Sequence, residues 1–189
     1  MNTPAPAAPD PRQFRNTMGL FATGVAVIAA PDGEEVTAMT ANAVSSVSLD
    51  PMLVLFCPSL QSRFAHHLPE MRTFSINFLR EDQEPLSTFF AGSWKEPVAP
   101  PFRFVPWRSA PRLEGCLASL GCEIEQRVQA GDHWIIIGRV REVHVGIPPH
   151  RPLMFFGGRY RHLDFSESAP APDLVNVHDE PAHIFYDHA

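Results

Sequence analysis

Two long apolar-rich runs, Leu117–Gln129 and Trp134–Val145, are joined by a short link containing Ala130-Gly131-Asp132. A Gly-Asp turn between two such runs predicts an antiparallel hairpin. Trp134-Ile-Ile-Ile137 is apolar at consecutive positions, so both faces of the second strand should be buried. Other strand-length runs precede and follow this pair. Gly24–Ala30 reads as a buried strand, closed by the turn Pro31-Asp32-Gly33. Val36–Pro51 reads as a second strand followed by a loop, and Asp50-Pro51 breaks it. Met52–Cys57 and Thr73–Leu79 are further strands, and Leu153–Leu163 is the last. Helices are few and short. One runs from about Arg12 to Leu20, with Asp10 as N-cap, Pro11 in its first turn, and Phe14, Met18 and Phe21 on its apolar face. A second covers Arg63–Leu68 behind Ser62 as cap, and a third begins at Asp82 and holds Leu86, Phe89 and Phe90. Many short strands with few helices predict a mainly β protein built as a barrel. No Gly-x-Gly-x-x-Gly follows a strand, so a Rossmann dinucleotide site is not expected.

The flanks differ from this body. Residues 1–11 are rich in Pro and Ala and read as a disordered tail. Residues 12–163 form the expected domain. Residues 164–189 are polar and acidic, with Pro170, Pro172 and Pro181, and read as an extended arm whose Ile184-Phe-Tyr186 patch could dock on the body or on a partner. Within the body, Trp94–Pro111 holds five prolines and reads as a long irregular excursion of the kind that borders a site.

Charge and composition exclude several classes. The net charge is −6 with 44% hydrophobic and 19% charged residues. No basic stripe is visible, so no nucleic-acid partner is expected. Apolar runs such as Leu53–Cys57 fall far short of the ~20 residues that cross a bilayer, so no membrane partner is expected either. The N-terminus lacks a basic start and an apolar h-region. Cys57, Cys116 and Cys122 are odd in number and without Cys-x-x-Cys spacing, which fits reduced thiols and a cytoplasmic location.

The stretch Val36–Pro51 has an unusual chemistry. Small hydroxyl and amide residues (Thr37, Thr40, Asn42, Ser45, Ser46, Ser48) alternate with small apolar ones (Ala38, Ala41, Ala43, Val44, Val47). A strand packed only into a core would favour larger side chains. This one offers short donors and acceptors on a thin surface where a flat polar ligand can approach the backbone. Pro58–Arg63 follows a strand and opens a helix, so Ser62 offers a hydroxyl and Arg63 a guanidinium fork for an anion. His133 leaves a tight turn and enters a strand, which fixes its position. No metal site is expected. His66 and His67 are adjacent on one helix and point apart. His178, His183 and His188 recur every five residues, which matches no single face. No Gly-x-Ser-x-Gly or His-Glu-x-x-His is present.

Several segments occur together in order: Phe14 with Thr23-Gly24-Val25; Met39-Thr40-Ala41-Asn42; Ser45–Pro51; Phe74-Ser75-Ile76-Asn77; Leu86-Ser87; Phe90-Ala91-Gly92; Gly131-Asp132-His133; Ile137-Gly138-Arg139-Val140; and Gly158-Arg159-Tyr160-Arg161. In this order over about residues 12–163 the chain resembles the flavin reductase-like family. The resemblance implies an FMN-binding split β-barrel of Greek-key type, mainly β with a few short helices. It implies a homodimer with the flavin near the subunit interface. It also implies reduction of a loosely held flavin by NADH or NADPH, and delivery of that flavin to a partner flavin-dependent monooxygenase.

On this resemblance, Thr40, Ala41 and Asn42 line the isoalloxazine, and Ser45, Ser46 and Val47 continue the contact. Ser62 and Arg63 hold the flavin phosphate. His133 lies near the nicotinamide and flavin N5, Tyr160 stacks near the nicotinamide, and Arg159 holds a phosphate. Gly157-Gly158 stands where the family often has Arg-Gly. The residues leave FMN or FAD open, and likewise NADH or NADPH. They also leave open a split-barrel flavin carrier without reductase activity.

Overall fold

The computed structural model describes residues 10–108 and 110–164. Helix α1 (Pro11–Met18) leads into β1 (Thr23–Gly24), β2 (Ala26–Asp32), β3 (Glu35–Ala41), β4 (Val44–Leu49) and β5 (Met52–Phe56). A single turn, α2 (Arg63–His67), precedes β6 (Thr73–Phe78). A 3-10 turn at Glu81–Gln83 then runs into α3 (Glu84–Phe90). The short β7 (Phe104–Val105) and β8 (Arg112–Leu113) come next. The long β9 (Ala118–Ala130) and β10 (His133–Val145) follow, then β11 (Met154–Phe156) and β12 (Arg159–Arg161).

Seven strands form one antiparallel sheet in the order β3-β2-β6-β9-β10-β5-β4. Its two edges, β3 and β4, are consecutive in the chain, with only Asn42 and Ala43 between them. A two-residue link cannot cross a flat seven-stranded sheet, in which strands lie about 4.8 Å apart. The sheet must therefore curl until its edges meet, yet no ladder joins them. The result is a barrel split along one seam, and the small-residue stretch is that seam.

The core fills the curl. Phe56, Phe74, Ile28, Ile76 and Ile136 are fully buried, and the Phe56 and Phe74 rings lie 5.0 Å apart. A second cluster, with Val27, Leu79, Leu113 and Leu153, packs on the other face of β2. Val27 and Ile28 thus enter different clusters, which explains why this strand is apolar at every position from Ala26 to Ala30. Gly138 is set by this core. A β-carbon there would stand 2.3 Å from Phe74 Cζ, so the ring takes the space of a side chain.

The structure redraws four of the expected elements. Gly24–Ala30 is interrupted at Val25: β1 pairs with β11, and β2 pairs with β3 and β6. Val36–Pro51 is two strands rather than a strand and a loop, because Val44–Leu49 gains a ladder with β5. Leu153–Leu163 is a hairpin rather than one strand. Gly157 and Gly158 turn it with φ of +61° and +75°, a backbone that glycine adopts freely. The proline-rich excursion contains the pair β7–β8. Buried side chains anchor its return. Ser75 Oγ donates to the Pro111 carbonyl at 2.6 Å, and Asn77 Oδ1 accepts from Leu113 N at 3.0 Å. The Asn77 amide also donates to the Val27 carbonyl at 3.1 Å, so one buried residue ties β2, β6 and β8 together. The expected tail falls almost wholly, and the arm apart from Asp164 wholly, outside the described residues, as do Ile184-Phe-Tyr186 and His178, His183 and His188.

Candidate functional site

The seam side of β3 is an edge, so one row of its backbone groups is not used by the ladder to β2. Helix α3 packs beside it. Thr40 Oγ1 donates to the Ser87 carbonyl at 2.7 Å. Ser87 Oγ shares a 2.8 Å hydrogen bond with Tyr160 Oη. These two bonds link β3, α3 and β12 around a cavity of about 200 Å³. Thr40, Ala41 and Asn42 form one side, Ser87 of α3 and its C-cap Ala91 another, and Val25, Phe155 and Tyr160 complete it. The Phe155 and Tyr160 rings meet edge to face at 5.5 Å. The lining therefore combines a polar backbone edge, short hydroxyls and two aromatic rings.

A second groove of about 460 Å³ opens beside this cavity and shares Asn42 and Phe155 with it. Ser45 and Cys57 line it, facing Phe14, Met18 and Phe21 of the N-terminal segment. Ser46 and Val47 follow on β4, and both are exposed. The ladder to β5 shifts register between Ser46 and Ser48, so Val47 is the extra residue of a bulge. Burial raises the Cys57 thiol above its ordinary value, which keeps it neutral at physiological pH.

The other sequence-predicted residues lie at a second centre. Ser62 caps α2: its Oγ accepts from Ala65 N at 3.1 Å and donates to the Ser59 carbonyl at 2.8 Å. Arg63 is exposed, and its Nη2 stands 3.9 Å from where a β-carbon on Gly92 would lie. The end of the β9–β10 hairpin clamps this loop. Leu60 N donates to the Asp132 carbonyl and Trp134 N to the Pro58 carbonyl, while His133 bridges Ser59. His133 Nδ1 lies 2.7 Å from Asp132 Oδ1, and this bond holds the Asp132 carboxyl below its usual range. Arg159 begins β12 and is exposed. The structure thus brings Thr40, Ala41, Asn42 and Tyr160 to one cavity, and His133 to the Ser62–Arg63 loop. The Arg63 guanidinium approaches Gly92, the neighbour of the cavity residue Ala91.

Two features were not assigned from sequence. Ser87 is fully buried and joins Thr40 to Tyr160. Its place in the Leu86-Ser87 segment was visible, but its two partners lie 47 and 73 residues away. Ala41 is also more constrained than its chemistry suggests. It is 8% exposed and belongs to the barrel core, so it needs a small side chain for packing as well as for the cavity.

A family model described as "Flavin reductase like domain" matches residues 18–164. This chain belongs to that family. Among its family relatives is an "NADH-dependent flavin reductase" of Rhodococcus sp., 40% identical over 157 residues, covering 82% of this chain and 87% of the relative. The reductase subunit HsaB of a flavin-dependent monooxygenase from Rhodococcus jostii is 34% identical over 172 residues, covering 89% and 86%. Flavin reductase PheA2 in its native state superposes with a TM-score of 0.77 at 39% identity, covering 82% of this chain and 99% of that one. Streptomyces globisporus NADH:FAD oxidoreductase SgcE6, solved with NAD and FAD fragments, superposes with a TM-score of 0.73 at 31% identity, covering 86% and 99%.

The cavity and groove fit a flavin by their own chemistry. A rigid ring with a polar edge needs backbone donors and acceptors, and no bulk beside it. The free edge of β3, with Thr40, Ala41 and Asn42, supplies both. Among the described residues no cluster of His, Cys, Asp or Glu could hold a metal ion, and no helix is long and apolar enough to cross a membrane.

Proposed function

We propose that this chain is an NAD(P)H-dependent flavin reductase that supplies reduced flavin to a partner flavin-dependent monooxygenase. The observation that carries the reading is the cavity at the barrel seam, with the free edge of β3 on one side and the hydroxyls of Thr40, Ser87 and Tyr160 around it. Transfer of hydride from the nicotinamide to flavin N5 is the chemistry that the bound pair supplies. Thr40, Ala41 and Asn42 orient the flavin ring edge. Fixed backbone dipoles at that edge favour the negative charge that reduction places there. Ser45, Ser46 and Val47 extend the contact along the seam.

Arg63 holds the phosphate, with Ser62 fixing the loop it stands on. Tyr160, held by Ser87, walls the nicotinamide side, and the exposed Arg159 beside it on β12 takes a second phosphate. His133, its Nδ1 tied to Asp132 at the Ser62–Arg63 loop, is the residue for the nicotinamide amide. The relatives named NADH-dependent support NADH as the reductant, and those named as monooxygenase reductase subunits support the oxygenase partner. Phe14, Met18, Leu20, Phe21, Val47 and Leu49 are large apolar side chains left exposed near the seam, which supports a homodimer closing there. Three free thiols support a reducing, cytoplasmic setting.

The test is the loss of nicotinamide absorbance when purified protein meets NADH or NADPH with FMN, FAD or riboflavin. Absence of turnover with every pairing refutes the enzyme. Flavin binding without turnover identifies a flavin carrier instead. Sedimentation at micromolar concentration tests the dimer, and a monomer there refutes it.

A further inference from the structure

We propose that the C-terminal arm of this chain docks its segment Leu174–Val177 as an added antiparallel strand on the open edge of β10, at Glu142–Val145. β10 has two neighbours over only part of its length. β9 pairs with it from His133 to Val145, whereas β5 pairs with it only from Ile136 to Arg139. Beyond Arg139 no ladder among the described residues takes that side. Gly146 N donates to the Leu117 carbonyl on the β9 side at 2.9 Å. Backbone groups alternate in direction along an antiparallel strand, so those of Val145 and Val143 point to the open side. Such a row of unused N–H and C=O groups is a template for one more strand. The side chains at this edge are apolar and uncovered. Val143, Val145 and Ile147 are all exposed, Val143 at 62%. Val143 stands opposite Leu120, which packs against the barrel core. The row therefore continues the core face of the sheet past the point where β5 stops flanking β10.

Position, direction and pattern choose the occupant. The last described residue, Asp164, follows a segment that is tied to the end of β10. His162 Nδ1 lies 3.9 Å from Glu81 Oε2, and Glu81 N donates to the Arg151 carbonyl at 2.9 Å. The neighbouring His150 Nε2 lies 3.0 Å from the carbonyl of Gly146, the residue after β10. Ten residues from Asp164 to Leu174 extend to about 33 Å, which is ample for so short a gap. A segment that arrives at the Gly146 end runs antiparallel to β10, the pairing with the stronger ladder. Between Pro172 and Pro181 the arm carries Leu174-Val-Asn-Val177, with Val175 and Val177 at alternate positions as Val143 and Val145 are on β10. Charge fits the same direction. Residues 165–189 contain no Lys or Arg, and Asp179 and Glu180 follow the segment. An antiparallel arm brings them beside Arg141. Its Nε and Nη2 both donate to Glu123 Oε2, at 2.9 and 2.8 Å, which leaves Nη1 for a second carboxylate.

Amide hydrogen exchange on the full-length chain tests the docking. The amides of Leu174–Val177, Val143 and Val145 should exchange about tenfold or more slowly than those of an unstructured chain. The double variant Val175→Asp with Val177→Asp changes only the arm and leaves the packing of the barrel alone. It should release Leu174–Val177 and speed exchange at Val143 and Val145, while Ile136–Arg139, flanked by β5, keep their wild-type rates. Exchange of Leu174–Val177 at the unstructured rate in the wild type overturns the proposal. So does a double variant in which Val143 and Val145 remain as protected as in the wild type. Protection that disappears on dilution assigns the added strand to the arm of a second copy, and overturns docking by the chain's own arm.

Discussion

Ser87 is the residue whose removal reports most directly on the site's construction. Its Oγ bonds Tyr160 Oη at 2.8 Å, while its carbonyl accepts from Thr40. Ser87→Ala deletes only the first bond. The net worth of such a bond is about 1 kcal/mol, and a half-buried hydroxyl left without a partner raises the cost to about 1–3 kcal/mol. Tyr160→Phe removes the other partner and strands Ser87 Oγ, at a similar cost. The double variant strands neither group. It should therefore lie close to the worse single variant, giving a coupling energy equal to the milder single variant's cost, about 1–3 kcal/mol. Urea denaturation of the four proteins measures this cycle. Each kcal/mol also corresponds to a fall in Tm of about 2–4 °C for a chain of this size. The Thr40 bond survives in all four, so the cavity's other side stays in place. A freed Tyr160 ring should raise KM for the flavin or the nicotinamide beyond any loss of folded protein. Additive effects, with coupling below about 0.3 kcal/mol, would mean that the bond does not hold the Tyr160 wall in solution.

Three further outcomes follow from the packing. Gly138→Ala must place a β-carbon 2.3 Å from Phe74 Cζ, so a loss of about 1–3 kcal/mol in urea denaturation is expected, and an unchanged midpoint would contradict that contact. Ala41→Phe enters both the barrel core and the cavity wall, so Tm and flavin affinity should fall together; retained flavin affinity would place the ring elsewhere. Burial pushes the Cys116 and Cys122 thiols up to about 12, and raises Cys57 as well. A raised value keeps a thiol neutral to higher pH. At pH 8 iodoacetamide should therefore modify the half-buried Cys57 first, more slowly than a free thiol, and reach Cys116 and Cys122 only on unfolding; peptide mass mapping reads the order, and early labelling of Cys116 or Cys122 would refute their burial.

Much of the architecture was legible in local chemistry. Asp10, Pro11 and Ser62 marked helix starts because capping is decided by one or two neighbouring residues. The β9–β10 hairpin was legible because a short turn and two apolar runs are contiguous in the chain. The hairpin at Gly157-Gly158 carries a local signal as well, two adjacent glycines that both adopt positive φ. The strand at Val44–Leu49 was missed for a physical reason. Small polar residues have weak strand preference, and Asp50-Pro51, which reads as a break, is the turn of a hairpin to β5.

Thr40, Ala41 and Asn42 return to the same contrast. Their small size and short hydroxyls follow from the sequence alone, and so does the membership of the ordered segments around them. Sequence also determined that this protein would be mainly β, with few helices and an acidic surface. What only the tertiary structure decided is where those residues face. The two-residue link between β3 and β4 forces the sheet to close on itself without a ladder, and that leaves an open strand edge beside α3. Ser87 and Tyr160, 73 residues apart, meet there because the ladders from β1 through β11 to β12, and no local pattern, carry β12 to the side of α3.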